Sequence, residues 1–559
     1  MVDTLVPSDQ DIDANLASLS KSGRIWLLTV AALCVLLVIA SMVALNAALP
    51  DLALQTSATQ SQLTWVVDGY TLVLACLLLP AGALGDRYGR RGALLVGLTI
   101  FGLASFAPIL LDSPVQIIVA RAVAGVGAAF IMPATLSLLT AAFPKDERNK
   151  AIGIWAGMAS SGAIVGFMGT GLLLRYFEWQ SVFYAFVIAS VVLILCTFTI
   201  RTSRDETATP VDWVGAALIG GAVAVFVFGV VEAPVRGWAH PVVWGCMAAG
   251  VAMAAVFAFV ELRRPHPLLD VRLFARPDFA VGTVGIAFLF FANFGFFFVV
   301  MQYMQLILGY SPLQTAWALA PLAVPIVLLG ATMHLILPKV GLRLVVAVGL
   351  LLIAAGLFSM KYLEVDSAYI DMVWPFLVTS AGIGLCVAPT TSAIMNAVPT
   401  DKQGVASAVN DTAREVGAAV GIAVAGSVLA ARYTHSMGPG LLAFPEQIRG
   451  AATDSLANAL EVAKQLGPQG PALARLAETA FLDAMDLALI VVSAAVAVAA
   501  AFAAVWAPGR DGRQLRFVAR RNARSSVDDE LGGPMAEHDD RGVRTATGDS
   551  RQDRTVDNP

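Results

Sequence analysis

Apolar runs of about twenty residues recur along this chain with short polar stretches between them, and no other feature restricts the fold as much. About twenty residues of helix cross the hydrocarbon core of a bilayer. A helix also satisfies its own backbone hydrogen bonds where there is no water. About fourteen such runs can be counted, centred near Cys34, Leu74, Thr99, Gly127, Ala163, Val191, Val223, Met253, Phe291, Val327, Leu352, Gly384, Val420 and Val492. The chain is 58% hydrophobic and 14% charged with a mean hydropathy of +0.75, outside the range of soluble domains. An all-α integral membrane protein with 14 transmembrane helices is predicted. The first stretch lacks a cleavage-site pattern, so the first apolar run is expected to be a retained anchor. The 5 cysteines all fall in apolar runs and read as small buried hydrophobes, with no metal or disulfide spacing.

Basic residues mark alternate junctions. Lys21 and Arg24 precede helix 1, Arg87, Arg90 and Arg91 follow helix 2, and Lys145, Arg148 and Lys150 follow helix 4. Arg201 and Arg204 follow helix 6, and Arg263, Arg264, Arg272 and Arg276 follow helix 8. Lys339 and Arg343 follow helix 10, Lys402 follows helix 12, and Arg510, Arg513 and Arg516 follow helix 14. The other short junctions hold only Arg175, Arg236 and Lys361, and the long polar loop 433–479 is too long for the charge rule to bear on strongly. Lys and Arg concentrate on the cytoplasmic side, so both termini are expected in the cytoplasm and the polar loop 433–479 outside. The net charge of -4 says little about partners, because the position of charge matters more than its sum.

The chain also repeats itself. Arg87-Tyr-Gly-Arg-Arg-Gly-Ala-Leu-Leu-Val-Gly97 resembles Lys339-Val-Gly-Leu-Arg-Leu-Val-Val-Ala-Val-Gly349. Ala124-Gly-Val-Gly127 pairs with Ala381-Gly-Ile-Gly384, and Pro144-Lys-Asp-Glu147 with Pro399-Thr-Asp-Lys402. Helices 2 to 5 thus correspond to helices 10 to 13. This predicts two six-helix bundles related by an axis along the membrane normal, with helices 7 and 8 inserted between them. The expected divisions are a cytoplasmic segment (1–24), an N-terminal bundle (25–200), an inserted pair (212–261), a C-terminal bundle (278–507) and a tail (508–559). The tail is rich in Arg, Asp, Gly and Ser, and is expected to be disordered and dispensable.

Ionisable residues within spans are the first functional candidates, since each costs about 2.5–3.5 kcal/mol there. Asp68, in Trp65-Val-Val-Asp-Gly-Tyr70, lies near the outer end of helix 2 and suits a cation site or proton carrier. Arg121 in helix 4 needs acceptors, and helix 1 offers Ser41 and Asn46. Asp411 and Glu415 are four apart, which puts both on one helical face beside Arg414. Seven phenylalanines (Phe288, Phe290, Phe291, Phe294, Phe296, Phe297 and Phe298) crowd helix 9, and aromatic faces bind planar or quaternary cations. Trp65, Tyr70, Trp155, Tyr303 and Gln305 are further candidate cavity walls. Glu232, Glu261, Asp483 and Asp486 read as interfacial charges, and His334 as a satisfied polar group. No nucleotide-binding loop, catalytic triad or metal cluster is visible, so neither an enzyme nor a cofactor is expected. Energy for moving a solute would come from an ion gradient or from the solute itself.

Gly82-Ala-Leu-Gly-Asp-Arg-Tyr-Gly-Arg-Arg91 lies between helices 2 and 3. Arg87, Arg90 and Arg91 cannot lie cheaply in hydrocarbon, Gly82, Gly85 and Gly89 allow a tight turn and close helices, and Asp86 can accept from a helix N-terminus or an arginine. The segment matches the G-x-L-x-D-R-x-G-R-R signature of the major facilitator superfamily. With fourteen helices the chain resembles the superfamily's drug:H+ antiporters of the EmrB/QacA type, over about Ile25 to Ala507. Leu45-Asn-Ala-Ala-Leu-Pro50, Tyr303-Met-Gln, Gly309-Tyr-Ser-Pro-Leu-Gln314 and Gly404-Val-Ala-Ser-Ala add to the likeness. Arg121-Ala-Val-Ala-Gly-Val-Gly127 resembles the family's helix 4 motif, whose arginine is tied to proton coupling. Trp65-Val-Val-Asp68 looks like the quaternary-ammonium exporters, which also carry acids where Asp411 and Glu415 stand. Three places depart from the pattern. Ser41 stands where an aspartate is common, Phe167 and Thr170 replace a proline and a glycine in helix 5, and Gln180-Ser181 follows Trp179.

The resemblance implies a proton-coupled exporter of lipophilic, cationic compounds that works by alternating access in a bacterial inner membrane as a monomer. Asp68 would bind the cation or carry the proton and Arg121 would link protonation to the conformational change. Asp86, with Arg87, Arg90 and Arg91, would latch the inward gate. The expected partners are a small lipophilic substrate and the bilayer, with no nucleic acid. An exporter of an endogenous lipid, siderophore or antibiotic is the alternative on the same fold, and loss of the helix 1 acid fits its less cationic cargo. A transport-inactive sensor or scaffold is the alternative of another class.

Overall fold

The computed structural model describes residues 19–56, 60–111, 113–201, 212–264, 267–399 and 402–509. Among the described residues 14 helices are long and apolar enough to span a membrane, and there is no strand. They are α1 (Lys21–Thr56), α2 (Gln60–Tyr88), α3 (Arg90–Leu110), α4 (Pro114–Ala142), α5 (Lys145–Tyr176), α6 (Gln180–Phe198), α7 (Trp213–Arg236) and α8 (Pro241–Glu261). α9 (Pro277–Gln302) runs into a π-helical turn at Tyr303–Ile307, and α10 is built from Pro312–Leu319 and Ala323–Val340 around a 3-10 turn. α11 (Leu342–Ser359), α12 (Tyr369–Asn396), α13 (Gln403–Leu441) and α14 (Gly470–Trp506) complete the set. The sequence segment expected over 1–24 is described only from residue 19, and the expected tail lies outside the described residues from 510 onward.

The stretch 433–479 is not the irregular polar loop its composition suggested. α13 has 39 residues and α14 has 37. At 1.5 Å per residue each is close to twice the hydrocarbon thickness, so both continue past the bilayer. Two short helices, Glu446–Asp454 and Leu456–Gln465, join them. Ala452, Leu456 and Ala459 are buried there and join the hydrophobic core of the bundle.

α1 to α6 pack among themselves, chiefly α1 on α5 and α4 on both α2 and α3. α9 to α14 do likewise, chiefly α9 on α13 and α11 on α12 and α14. Within lipid there is no water to expel between helices, so tight association depends on small residues that let backbones approach. The two halves meet in this way along two seams. α2 crosses α13 at Gly82 and Gly404, and α5 crosses α10 at Gly153 and Gly330, where a Cβ on Gly153 would run into the Gly330 carbonyl. α7 and α8 pair with each other, and α7 also packs on α2 and α13. Glu261 is not an interfacial charge facing water. It is 2% exposed and accepts from the Leu269 N–H, tying α8 to the segment that leads into α9.

Candidate functional site

The end of the bundle that carries the 82–91 turn is closed. Gly89 has φ 106°, a conformation that glycine adopts without strain, and this lets α3 start directly after α2. The turn sets Asp86 against the first residues of α13. Its Oδ1 accepts from Gly404 N at 2.9 Å and its Oδ2 from Val405 N at 3.1 Å. Arg90 donates its Nε to Oδ1 at 2.9 Å from the other side. A carboxylate on the unpaired N–H groups of a helix N-terminus is favoured by both hydrogen bonding and the helix dipole. The contact joins residues far apart in the chain and depends on Gly404, since a Cβ there would lie 2.6 Å from both Gly82 O and Asp86 Oδ1. Asp86 and Arg90 therefore form the junction. Arg91 turns away and donates to Ile200 O at 3.1 Å, and the Arg87 guanidinium lies 5.4 Å from the Tyr88 ring centroid.

Arg121 is 1% exposed in α4. It donates Nη1 to Ser41 Oγ at 2.9 Å, Nη2 to Ser41 O at 3.1 Å and Nε to Val66 O at 3.2 Å, and it stands 4.2 Å over the Tyr70 ring. Among the described residues no carboxylate lies within ion-pair distance of it. The guanidinium instead ties α1 and α2 to α4 through neutral oxygens. Ser41, at the place where the resembling family commonly has an acid, is its main acceptor. Of the two acceptors that the sequence offered, the Asn46 side chain lies outside the described residues.

A cavity of about 750 Å³ lies between the halves. Its wall runs from the level of Glu415 and Ala159 toward Leu49, Leu306 and Ala316, away from the Asp86 junction. Trp65 and Asp68 of α2, Phe290 and Phe294 of α9 and Gln305 of the π-helical turn all line it, and all but Asp68 are among the wall candidates offered by the sequence. Among the described residues no partner side chain binds the Asp68 carboxylate. Glu415 and Arg414 form part of the cavity floor, with Arg414 4.6 Å from the Phe290 ring centroid. The space is mostly apolar and aromatic, with Asp68 and Glu415 as its acids.

Four candidates fall elsewhere. Tyr70 and Tyr303 are fully buried, and Trp155 is 1% exposed, so none offers surface to the cavity. Each is held by its polar tip. The Tyr70 hydroxyl donates to Val38 O, the Tyr303 hydroxyl to Glu364 O, and Trp155 Nε1 to Thr135 Oγ1. The π-helical turn that carries Tyr303 toward Glu364 also brings Gln305 to the cavity. Asp411 shares a helical face with Glu415 but lies a turn nearer the closed end, fully buried, where it accepts from Arg414 at 3.3 Å and Asn410 at 3.2 Å. The sequence reading did not find the part of the wall made by α7, namely Val227, Phe228, Val231 and Pro234, nor Phe167 in the place of the family proline. Nothing in a uniformly apolar inserted helix marks a face for the cavity.

A family model for the Major Facilitator Superfamily matches residues 31–422. The chain belongs to the major facilitator superfamily. Members of this superfamily are membrane transporters, not enzymes. "Multidrug resistance protein Stp" of Mycobacterium tuberculosis is 31% identical to this superfamily member over 472 residues, covering 82% of this chain and 87% of that one. The "Tetracenomycin C resistance and export protein" of Streptomyces glaucescens is 31% identical over 499 residues, covering 86% and 91%. The solved proton:xylose symporter XylE superposes with a TM-score of 0.57 at 13% identity over 89% of this chain and 98% of that one, a likeness of fold alone.

Proposed function

We propose that this superfamily member exports lipophilic, positively charged compounds in exchange for protons, by alternating access. The observation that carries the reading is Asp68, an acid in the wall of a large aromatic cavity that has no side-chain partner among the described residues. A carboxylate there can hold either a cation or a proton, and competition between the two for one site couples their movements. The Asp86 junction serves as the gate at the basic end, which the positive-inside rule assigns to the cytoplasm. In this arrangement the cavity faces the outside, the state from which cargo would leave. Relatives named for multidrug resistance and antibiotic export support an exporter.

The test is ethidium efflux from dye-loaded, de-energised cells on re-energising, with wild type, Asp68→Asn and empty vector, with and without a protonophore. Asparagine keeps the size but can neither ionise nor carry a proton. The initial rate is expected to fall at least tenfold in Asp68→Asn and to collapse with the protonophore. Wild-type traces equal to empty vector, with the protein shown to be in the membrane, would sink the reading. Export of an endogenous natural product is the second reading, favoured by Ser41 in place of a helix 1 acid and by the tetracenomycin relative. It predicts intracellular accumulation of a metabolite in unstressed cells lacking the protein.

A further inference from the structure

The inserted helix α7 is a wedge between the two halves. α2 and α13 touch at Gly82 and Gly404 near the closed end. Further along, Val223, Val227 and Val231 of α7 pack against Leu72 and Ala75 of α2 and against Val416 and Ala419 of α13. α7 thereby replaces lipid in this seam and becomes part of the cavity wall. One of its side chains, Phe228, reaches the cavity, and its ring lies 6.1 Å from that of Trp65 at an interplanar angle of 29°. Trp65 is three residues before Asp68 on α2, so the indole and the carboxylate share one helical face. Glu232, one turn beyond Phe228, is engaged by Arg236, which leaves Asp68 as the acid of this corner.

We infer that Phe228 is a specificity-determining residue: with Trp65 it forms an aromatic surface beside Asp68 that favours flat aromatic cations over ring-free cations of the same charge. This rests on the cation-export reading above. A flat cation laid against the two rings gains stacking and places its charge near the carboxylate, whereas a tetraalkylammonium ion gains the attraction alone. The preference comes from the inserted pair, so a bundle of the same twelve other helices would lack it.

The test compares ethidium with tetrabutylammonium, both singly charged, in the efflux assay, using the full chain as wild type, Phe228→Leu, Phe228→Tyr and Asp68→Asn. Leucine keeps the wall apolar while removing the ring. The ratio of ethidium to tetrabutylammonium rates is expected to fall about two- to tenfold in Phe228→Leu and to return toward wild type in Phe228→Tyr, the range one aromatic contact supplies. An unchanged ratio, with Asp68→Asn still inactive, overturns the role of Phe228 and leaves the export reading standing. Wild type that moves neither cation overturns both. Competition of tetrabutylammonium against ethidium bound to the purified protein gives a second measurement. It should strengthen by the same factor in Phe228→Leu, and no change there also overturns the inference.

Discussion

Gly404→Leu is expected to reduce export to background while the protein still reaches the membrane. A side chain at this position starts 2.6 Å from the Gly82 carbonyl and 2.6 Å from Asp86 Oδ1, and neither can retreat without moving α2. Separating α2 from α13 breaks the bonds from Gly404 N and Val405 N to Asp86. Hydrogen bonds to a charged group contribute about 1.5–3 kcal/mol each, so closure of this end should weaken by about 3–6 kcal/mol, a hundredfold or more. An exporter that cannot close behind its cargo lets it return. Thiol labelling of Asn293→Cys, a cavity position, should report the change as faster modification from the basic face. Asp86→Ala removes the same acceptors without the steric conflict and should produce a smaller change in the same direction. Normal export by Gly404→Leu, at wild-type amounts in the membrane, would falsify the role given to this junction.

Arg121→Ala should cause the second large loss, for a different reason. The guanidinium binds two elements at once: Ser41 on α1 through two bonds and the Val66 carbonyl on α2 through a third. Without it, buried acceptors remain unpaired at about 1–3 kcal/mol each. Export is expected to fall to background, with a lower midpoint of thermal unfolding in detergent. Arg121→Lys should recover little, because an ammonium lacks the planar fork that spans both helices. Ser41→Ala removes one hydroxyl acceptor of the charged guanidinium and should cost about 1.5–3 kcal/mol. A wild-type midpoint and normal export in Arg121→Ala would show that α1 and α2 are held to α4 by other contacts.

These two sites were legible in the sequence to different depths. The 82–91 segment announces a turn through its glycines and a charged junction through Asp86 and its arginines, but Gly404, its partner, is more than three hundred residues away. Arg121 is conspicuous as a charge in an apolar run, and Ser41 could be offered as an acceptor only because both fall at similar depth in neighbouring helices. Trp65, Phe290, Phe294 and Gln305, which the sequence offered as cavity walls, line the cavity, as do Asp68 and Glu415, which it offered as coupling acids. Tyr70, Trp155 and Tyr303 do not.

The amino-acid sequence by itself determined the spans, the repeat that pairs α2 to α5 with α10 to α13, and the acids and arginine placed within hydrocarbon. Length and apolarity are local properties, and a buried charge is too expensive to occur by chance. Which face of each helix meets lipid, a neighbour or the cavity was decided only in the tertiary structure. In a soluble protein an amphipathic stripe marks the inner face, but lipid and protein interior are equally apolar, so a membrane helix carries no such stripe. Tyr70, Trp155 and Tyr303 were therefore settled by the positions of Val38, Thr135 and Glu364, and α7 became a cavity wall because α2 and α13 leave room for it beyond the Gly82 crossing.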